Sequence, residues 1–151
     1  MAVDTESAVS SNDIAELRSR LTMLARRLRR EARNDALSWS KMLIISLVDR
    51  LGGRATPTML ACAENISSAN VAALLRELES GGLIERSRDA ADGRKIWISL
   101  SERGNRVLAD SRSARERWLL RAMEETLSPS EQSRLIASGE LIERIAKFDR
   151  P

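Results

Sequence analysis

The segment "TPTMLACAENISSANVAALLRELESGGLIERSRDAADGRKIWISLSERG", Thr56 to Gly104, constrains the fold more than any other part of the chain. Thr56 followed by Pro57 is a helix start. The hydroxyl can accept from a free N–H of the first turn, and proline fills the position where no N–H is needed. Asn65 and Ile66 make a short turn, Ser67 caps a second helix, and Gly81-Gly82 stops it. On that helix Val71, Leu74, Leu75 and Leu78 share one apolar face. The opposite face holds Ala69, Ala73 and Arg76, flanked by Asn70, Ala72 and Ser80. It is small and flat, as a face lying close to another surface would be. "LIERSR" and "KIWISL" follow at once. Ile96, Ile98 and Leu100 alternate with Lys95, Trp97 and Ser99 at the period of a strand, and Asp92-Gly93 supplies the turn. Two helices on a short turn with a hairpin directly behind them form a winged helix–turn–helix.

Long helices are left over at both ends. From Asp13 onward, Ile14, Leu17, Leu21, Leu24 and Leu28 alternate spacings of three and four, a narrow seam that wants a partner helix. "ALSWSKMLIISLVDRLGG" is apolar nearly all round at its centre and is expected to be buried. Ser101 caps a long helix running to about Thr126, and Ser128-Pro129-Ser130-Glu131 is a capping box opening the last helix. The expected fold class is mainly α with a small β-hairpin wing. Residues 1–11 are expected as a disordered tail, 36–104 as the winged helix–turn–helix lobe, and 12–35 with 105–151 as a helical dimerisation region. Ile14, Leu17, Leu21, Leu135, Leu141, Ile142 and Ile145 are its candidate contact residues, most simply with a second copy of the chain.

Composition narrows the function. The 151 residues suit one contiguous core. The chain has no His, the usual acid–base catalyst and commonest metal ligand. It has no phosphate loop and no carboxylate pair in an active-site pattern, so no catalytic residue, metal or cofactor is expected. No apolar run nears the roughly 18 residues of a membrane span, and the acidic start lacks a secretory pattern. With a single cysteine, the cytoplasm is the simplest compartment. The net charge of +3 and pI of about 9.7 are compatible with a nucleic-acid partner. Lys41, Lys95 and Lys147 are the only lysines among 25 basic residues, so arginine is the general-purpose cation of this chain.

The ordered features of residues 60–104 resemble the MarR family of bacterial transcription regulators. They are the Leu60-Ala61 entry, the Ser67 cap, and the exit through Leu78, Gly82, Leu83, Ile84 and Arg86. The Asp92-Gly93-Arg94 wing signature and the Ser99-Leu100-Ser101-Glu102 return with Gly104 complete the set. The flanking helices agree in number and order. The resemblance implies a homodimeric regulator, usually a repressor, that binds double-stranded DNA at a pseudo-palindromic operator. It also implies release by a small aromatic or anionic ligand, or in some members by oxidation of a cysteine.

In that frame the helix from Ser67 enters the major groove with Ser67, Ser68, Ala69 and Asn70 leading. Asn70 can make a two-point bond to adenine, and Ala69 or Ala73 can sit against a thymine methyl. Arg76 lies further along the same face. With residues as small as Ser68 and Ala73, more of the specificity falls to DNA shape. Arg94 is placed to enter a narrow A·T-rich minor groove, with Asp92 expected to hold its guanidinium and with Arg88 and Lys95 on flanking phosphates. As a bare hairpin, the same residues would be a solvated turn with a local ion pair worth about 0–1 kcal/mol. A winged helix that docks proteins instead of DNA is the competing function.

Arg33, Trp39, Met42, Leu43 and Arg112 are the candidate ligand residues, with ordinary core packing as the alternative for each. Cys62 reads as a small buried residue, with a redox switch as the alternative. Trp97 and Trp118 read as packing residues, and the Arg26–Arg33 run as the wet face of an amphipathic helix.

Overall fold

The computed structural model describes residues 9–32 and 37–148. Their order is α1 (Ser11–Glu31), α2 (Trp39–Arg50), β1 (Arg54–Ala55), α3 (Pro57–Ala63), α4 (Ser68–Ser80), β2 (Ile84–Arg88), β3 (Ile96–Leu100), α5 (Glu102–Thr126) and α6 (Pro129–Ala146). The expected fold class is observed.

Hydroxyl caps set most of these boundaries. Met59, Asn70 and Gly104 donate their backbone N–H groups to Oγ1 of Thr56 (3.3 Å), Oγ of Ser67 (3.3 Å) and Oγ of Ser101 (3.0 Å). At α6, Glu131 accepts from both the amide and the hydroxyl of Ser128, at 2.8 and 2.7 Å. The start of α1 differs from expectation. Ser10 belongs to the anticipated tail but caps the helix, with Asp13 accepting from its amide at 3.0 Å. Asp13 is therefore the third residue of a capping box and not the helix start.

Gly82 ends α4 in the left-handed region (φ 68°). Leu83 N–H reaches Leu78 O at 2.9 Å and Gly82 N–H reaches Glu79 O at 2.9 Å, the two bonds of a Schellman stop. The chain then enters an antiparallel sheet of order β1-β3-β2, with Ser87 opposite Trp97 and Arg88 opposite Ile96. Strand β1 went unread in the sequence. Two residues are too short to show alternation, yet Arg54 and Ala55 pair with Ser99 and Ile98.

The core lies mostly in the winged lobe and takes in Leu108 of α5. Ile44, Ile45 and Val48 of α2 meet Leu60, Val71, Leu75, Leu78 and Ile98, all fully buried. Helix α2 is the buried one, as its all-round apolarity required. By contrast α1 and α6 bury no residue. Leu24 and Leu28 are half-buried where α1 lies along α5, while Ile14, Leu17 and Leu21 are exposed. No helix among the described residues is long and apolar enough to cross a membrane.

Candidate nucleic-acid interface

Two exposed features project from this lobe. The first is the start of α4. Ser67, Ser68, Ala69, Asn70 and Arg76 are exposed and Ala73 is half-buried, whereas Val71, Leu75 and Leu78 face the core. The cap uses Ser67 Oγ and the backbone of Asn70, which leaves the Asn70 amide side chain without a protein partner among the described residues.

The second is the wing, residues 89–95 between β2 and β3. Arg88, Asp92, Arg94 and Lys95 are all exposed. Asp89 N–H donates to Lys95 O and Lys95 N–H to Asp92 O, both at 2.9 Å. Asp92 does not hold the guanidinium of Arg94. Its Oδ1 accepts from the Arg94 backbone N–H at 3.1 Å, and no ion pair joins the two side chains. A carboxylate two residues ahead of an amide closes an Asx turn more readily than it reaches out to a long side chain. The turn is fixed, and the guanidinium has no carboxylate partner among the described residues. Arg94 and Lys95 line a cleft of about 420 Å³ with Thr56, Pro57, Thr58 and Ile96, so the wing and the start of α3 share one surface.

The residue that organises the wing is Asp89, which sequence reasoning missed. Its Oδ1 accepts from the amides of Ala91 (2.9 Å) and Asp92 (3.1 Å), and its Oδ2 accepts from Trp97 Nε1 at 2.7 Å. Donation from Trp97, then from the two amides, holds the Asp89 carboxyl at about 2, against an ordinary 3.8. Trp97 is not core packing. Its half-buried ring has the Arg54 guanidinium 4.1 Å and the Lys95 ammonium 4.3 Å from its centroid. Both are cation–π distances. The available signal was an Asp two residues ahead of Ala91, which predicts an Asx turn. Nothing in the sequence pointed to the indole.

Trp39, Met42, Leu43 and Arg112 share one crevice of about 270 Å³ with Ser46, Arg50 and Arg115. Arg33 lies outside the described residues. Arg112 is tied to Asp49 at 2.6 Å, and Trp39 is exposed beneath the Arg29 guanidinium, 4.6 Å from its centroid. Met42 is also core, at 5% exposure. Cys62 is a correction: it is exposed. Leu60 alone of α3 is buried, and the short helix turns Cys62 outward.

Comparison with known proteins places this geometry. The model of the MarR family matches residues 37–96, from two residues before α2 to the first residue of β3. A candidate transcriptional regulator from Pseudomonas aeruginosa PA01, known from its crystal structure, is 46% identical. The match covers 93% of this chain and all of that one, with a TM-score of 0.83. An HTH-type transcriptional regulator of Mycobacterium bovis is 28% identical over 85% of this chain and 91% of its own. The C80S mutant of MarR from E. coli, in complex with operator DNA, has the same fold at 18% identity. That match covers 89% of this chain and 96% of that one, with a TM-score of 0.61. A capped helix–turn–helix, a cation-tipped wing and a relative at 46% identity along nearly the whole length carry one conclusion: this chain belongs to the MarR family of DNA-binding transcription regulators, which are not enzymes.

Proposed function

We propose that the protein is a homodimeric, cytoplasmic repressor that reads a pseudo-palindromic operator with α4 in the major groove and the wing in the minor groove. The observation that carries this reading is the exposed start of α4 together with an exposed wing whose Arg94 guanidinium has no carboxylate partner among the described residues. Ser67, Ser68, Ala69, Asn70, Ala73 and Arg76 meet base edges and the nearest backbone. Arg94 enters the minor groove. Arg88 and Lys95 sit on opposite faces of the hairpin, since Arg88 pairs with Ile96 and Lys95 stacks on Trp97, and so they reach phosphates on either side. In a two-fold dimer the two α4 helices lie about 34 Å apart, one turn of DNA.

The dimer reading draws on exposed apolar residues. Ile14, Leu17 and Leu21 on α1, and Leu135, Leu141, Ile142 and Ile145 on α6, all face solvent in the single chain. Selection of duplexes from a random-sequence library by the purified protein, followed by a salt titration, tests the reading. A dyad-symmetric site should emerge, and affinity should fall by about 10³ or more between 50 and 200 mM salt if six phosphates are neutralised. A protein-docking winged helix would give no selected sequence and little salt dependence.

An aromatic carboxylate in the crevice of Trp39, Met42, Leu43 and Arg112 would release the operator. Its carboxylate would have to share Arg112 with Asp49. Titrating the operator complex with aromatic acids, on wild type and Trp39→Ala, tests this. Exposure of Cys62 favours a second reading, release by oxidation. Peroxide should then weaken operator binding by wild type and spare Cys62→Ser.

A further inference from the structure

The minor-groove role of Arg94 leaves one cluster unexplained. Trp97 is half-buried, outside the core, and yet is held from three sides. Asp89 Oδ2 takes its Nε1–H at 2.7 Å, Arg54 reaches its ring from β1, and Lys95 reaches it from the wing. The contacts form a connected path. Arg54 belongs to the strand paired with β3, so it ties the indole to the sheet. The indole ties Asp89. The other oxygen of Asp89 fixes the amides of Ala91 and Asp92, and Asp92 Oδ1 in turn takes the amide of Arg94. Every step from the sheet to the backbone of Arg94 is a contact between neighbouring groups.

We propose that Asp89 and Trp97 are a positioning pair for DNA: the Nε1–Oδ2 bond fixes the direction in which the wing presents Arg94 and so sets the preference for A·T-rich flanks. This rests on the reading of the wing given above. The physical reason is ordering. A two-stranded hairpin is at best marginal in water, and a long cation on a loose tip pays conformational entropy when it enters a groove. A tip already anchored through a charge-assisted bond does not. Asp89 stays ionised across the whole physiological range, so the anchor is present whenever the protein works.

The test uses two duplexes that share the half-sites selected by the wild-type protein and differ only in A·T or G·C flanks. Trp97→Phe keeps a ring for Arg54 and Lys95 but has no N–H. Asp89→Asn keeps one oxygen for the turn and sets an NH₂ against the indole N–H. Each should lose about tenfold on the A·T-flanked duplex, the scale of one hydrogen bond to a charged group, and little on the G·C-flanked one. In an Arg94→Ala background neither should change affinity further. The two variants break one bond from opposite sides, so either decides if the other folds poorly. If Arg94→Ala loses the flank preference while Trp97→Phe and Asp89→Asn keep it, the positioning role is wrong and the wing contact stands. Equal losses on both duplexes that persist without Arg94 mean a general loss of structure, which also overturns it. If Arg94→Ala itself keeps the wild-type preference, the wing reading fails and takes this pair with it.

Discussion

A Cβ on Gly104 would stand 2.0 Å from the carbonyl oxygen of Leu83. Leu83 cannot retreat, because its N–H is bound to Leu78 O at 2.9 Å and its oxygen accepts from Ser101 N–H at 3.0 Å. Helix α5 therefore rests directly on the backbone that leaves α4. Gly104→Ala would gain about 1 kcal/mol of helix propensity. Against that stands an overlap with fixed backbone, at or above the roughly 1–3 kcal/mol typical of overpacking. The clash should win and lower the urea midpoint of unfolding. A midpoint equal to or above wild type would show that the contact is not tight.

Ser101 closes the same joint. Its Oγ donates to Gly82 O at 2.7 Å and accepts from Gly104 N–H at 3.0 Å. Ser101→Ala removes both bonds and should cost about 1–2 kcal/mol by chemical denaturation. Ser101→Asp keeps the cap but loses the donor to Gly82, so it should fall between the two. Equal stability of all three proteins would remove Ser101 from the joint.

What the sequence made legible follows a physical pattern. Caps are local, so Thr56, Ser67, Ser101 and Ser128 located helix starts correctly, and the alternation around Ile96 and Ile98 located the wing. Contacts between distant residues were not legible. Strand β1 exists because Arg54 and Ala55 find Ser99 and Ile98, some 44 residues on. Asp92 looked like the holder of a guanidinium until the backbone of Arg94 proved to be nearer. Cys62 looked buried by residue type, but exposure depends on which side of a seven-residue helix meets the core. Of the five candidate ligand residues, Arg33 lies outside the described residues. Trp39, Met42, Leu43 and Arg112 come from two helices and do share a wall.

The Asp89–Trp97 bond should survive far into acid. The carboxyl lies at about 2 in the fold and at 3.8 ordinarily, with Lys95 and Arg54 as its charged neighbours. A depressed carboxyl stabilises the fold fully above its ordinary value and loses that contribution as pH falls through the folded one. The indole N–H proton resonance of Trp97 should thus hold its position from neutral pH to about 4 and move only below that. In Asp89→Asn the same resonance should start elsewhere and stay flat. A midpoint near 3.8 in wild type would mean the carboxylate is not held.

The exposed seam on α6 gives a separate expectation. Ile142 is 43% exposed and Ile145 68% exposed in the single chain, on a helix that buries none of its residues. Ile142→Glu would leave its charge in water in a monomer and bury it in a dimer, which is unfavourable by several kcal/mol. Sedimentation should show a dimer for wild type and a monomer for the variant, with the winged lobe still folded by circular dichroism. A variant with the mass of wild type would place the dimer contact elsewhere.

Contact between the wing tip and DNA is decided by one affinity measurement. Wild type and Arg94→Ala are titrated against the duplex that wild type selects, across a range of salt. The Arg94 guanidinium has no carboxylate partner among the described residues, and its backbone N–H is held by Asp92. Its loss should weaken binding by about 10- to 100-fold and reduce the salt slope by about one. Equal affinity and equal slope for the two proteins would mean that the wing tip does not touch DNA.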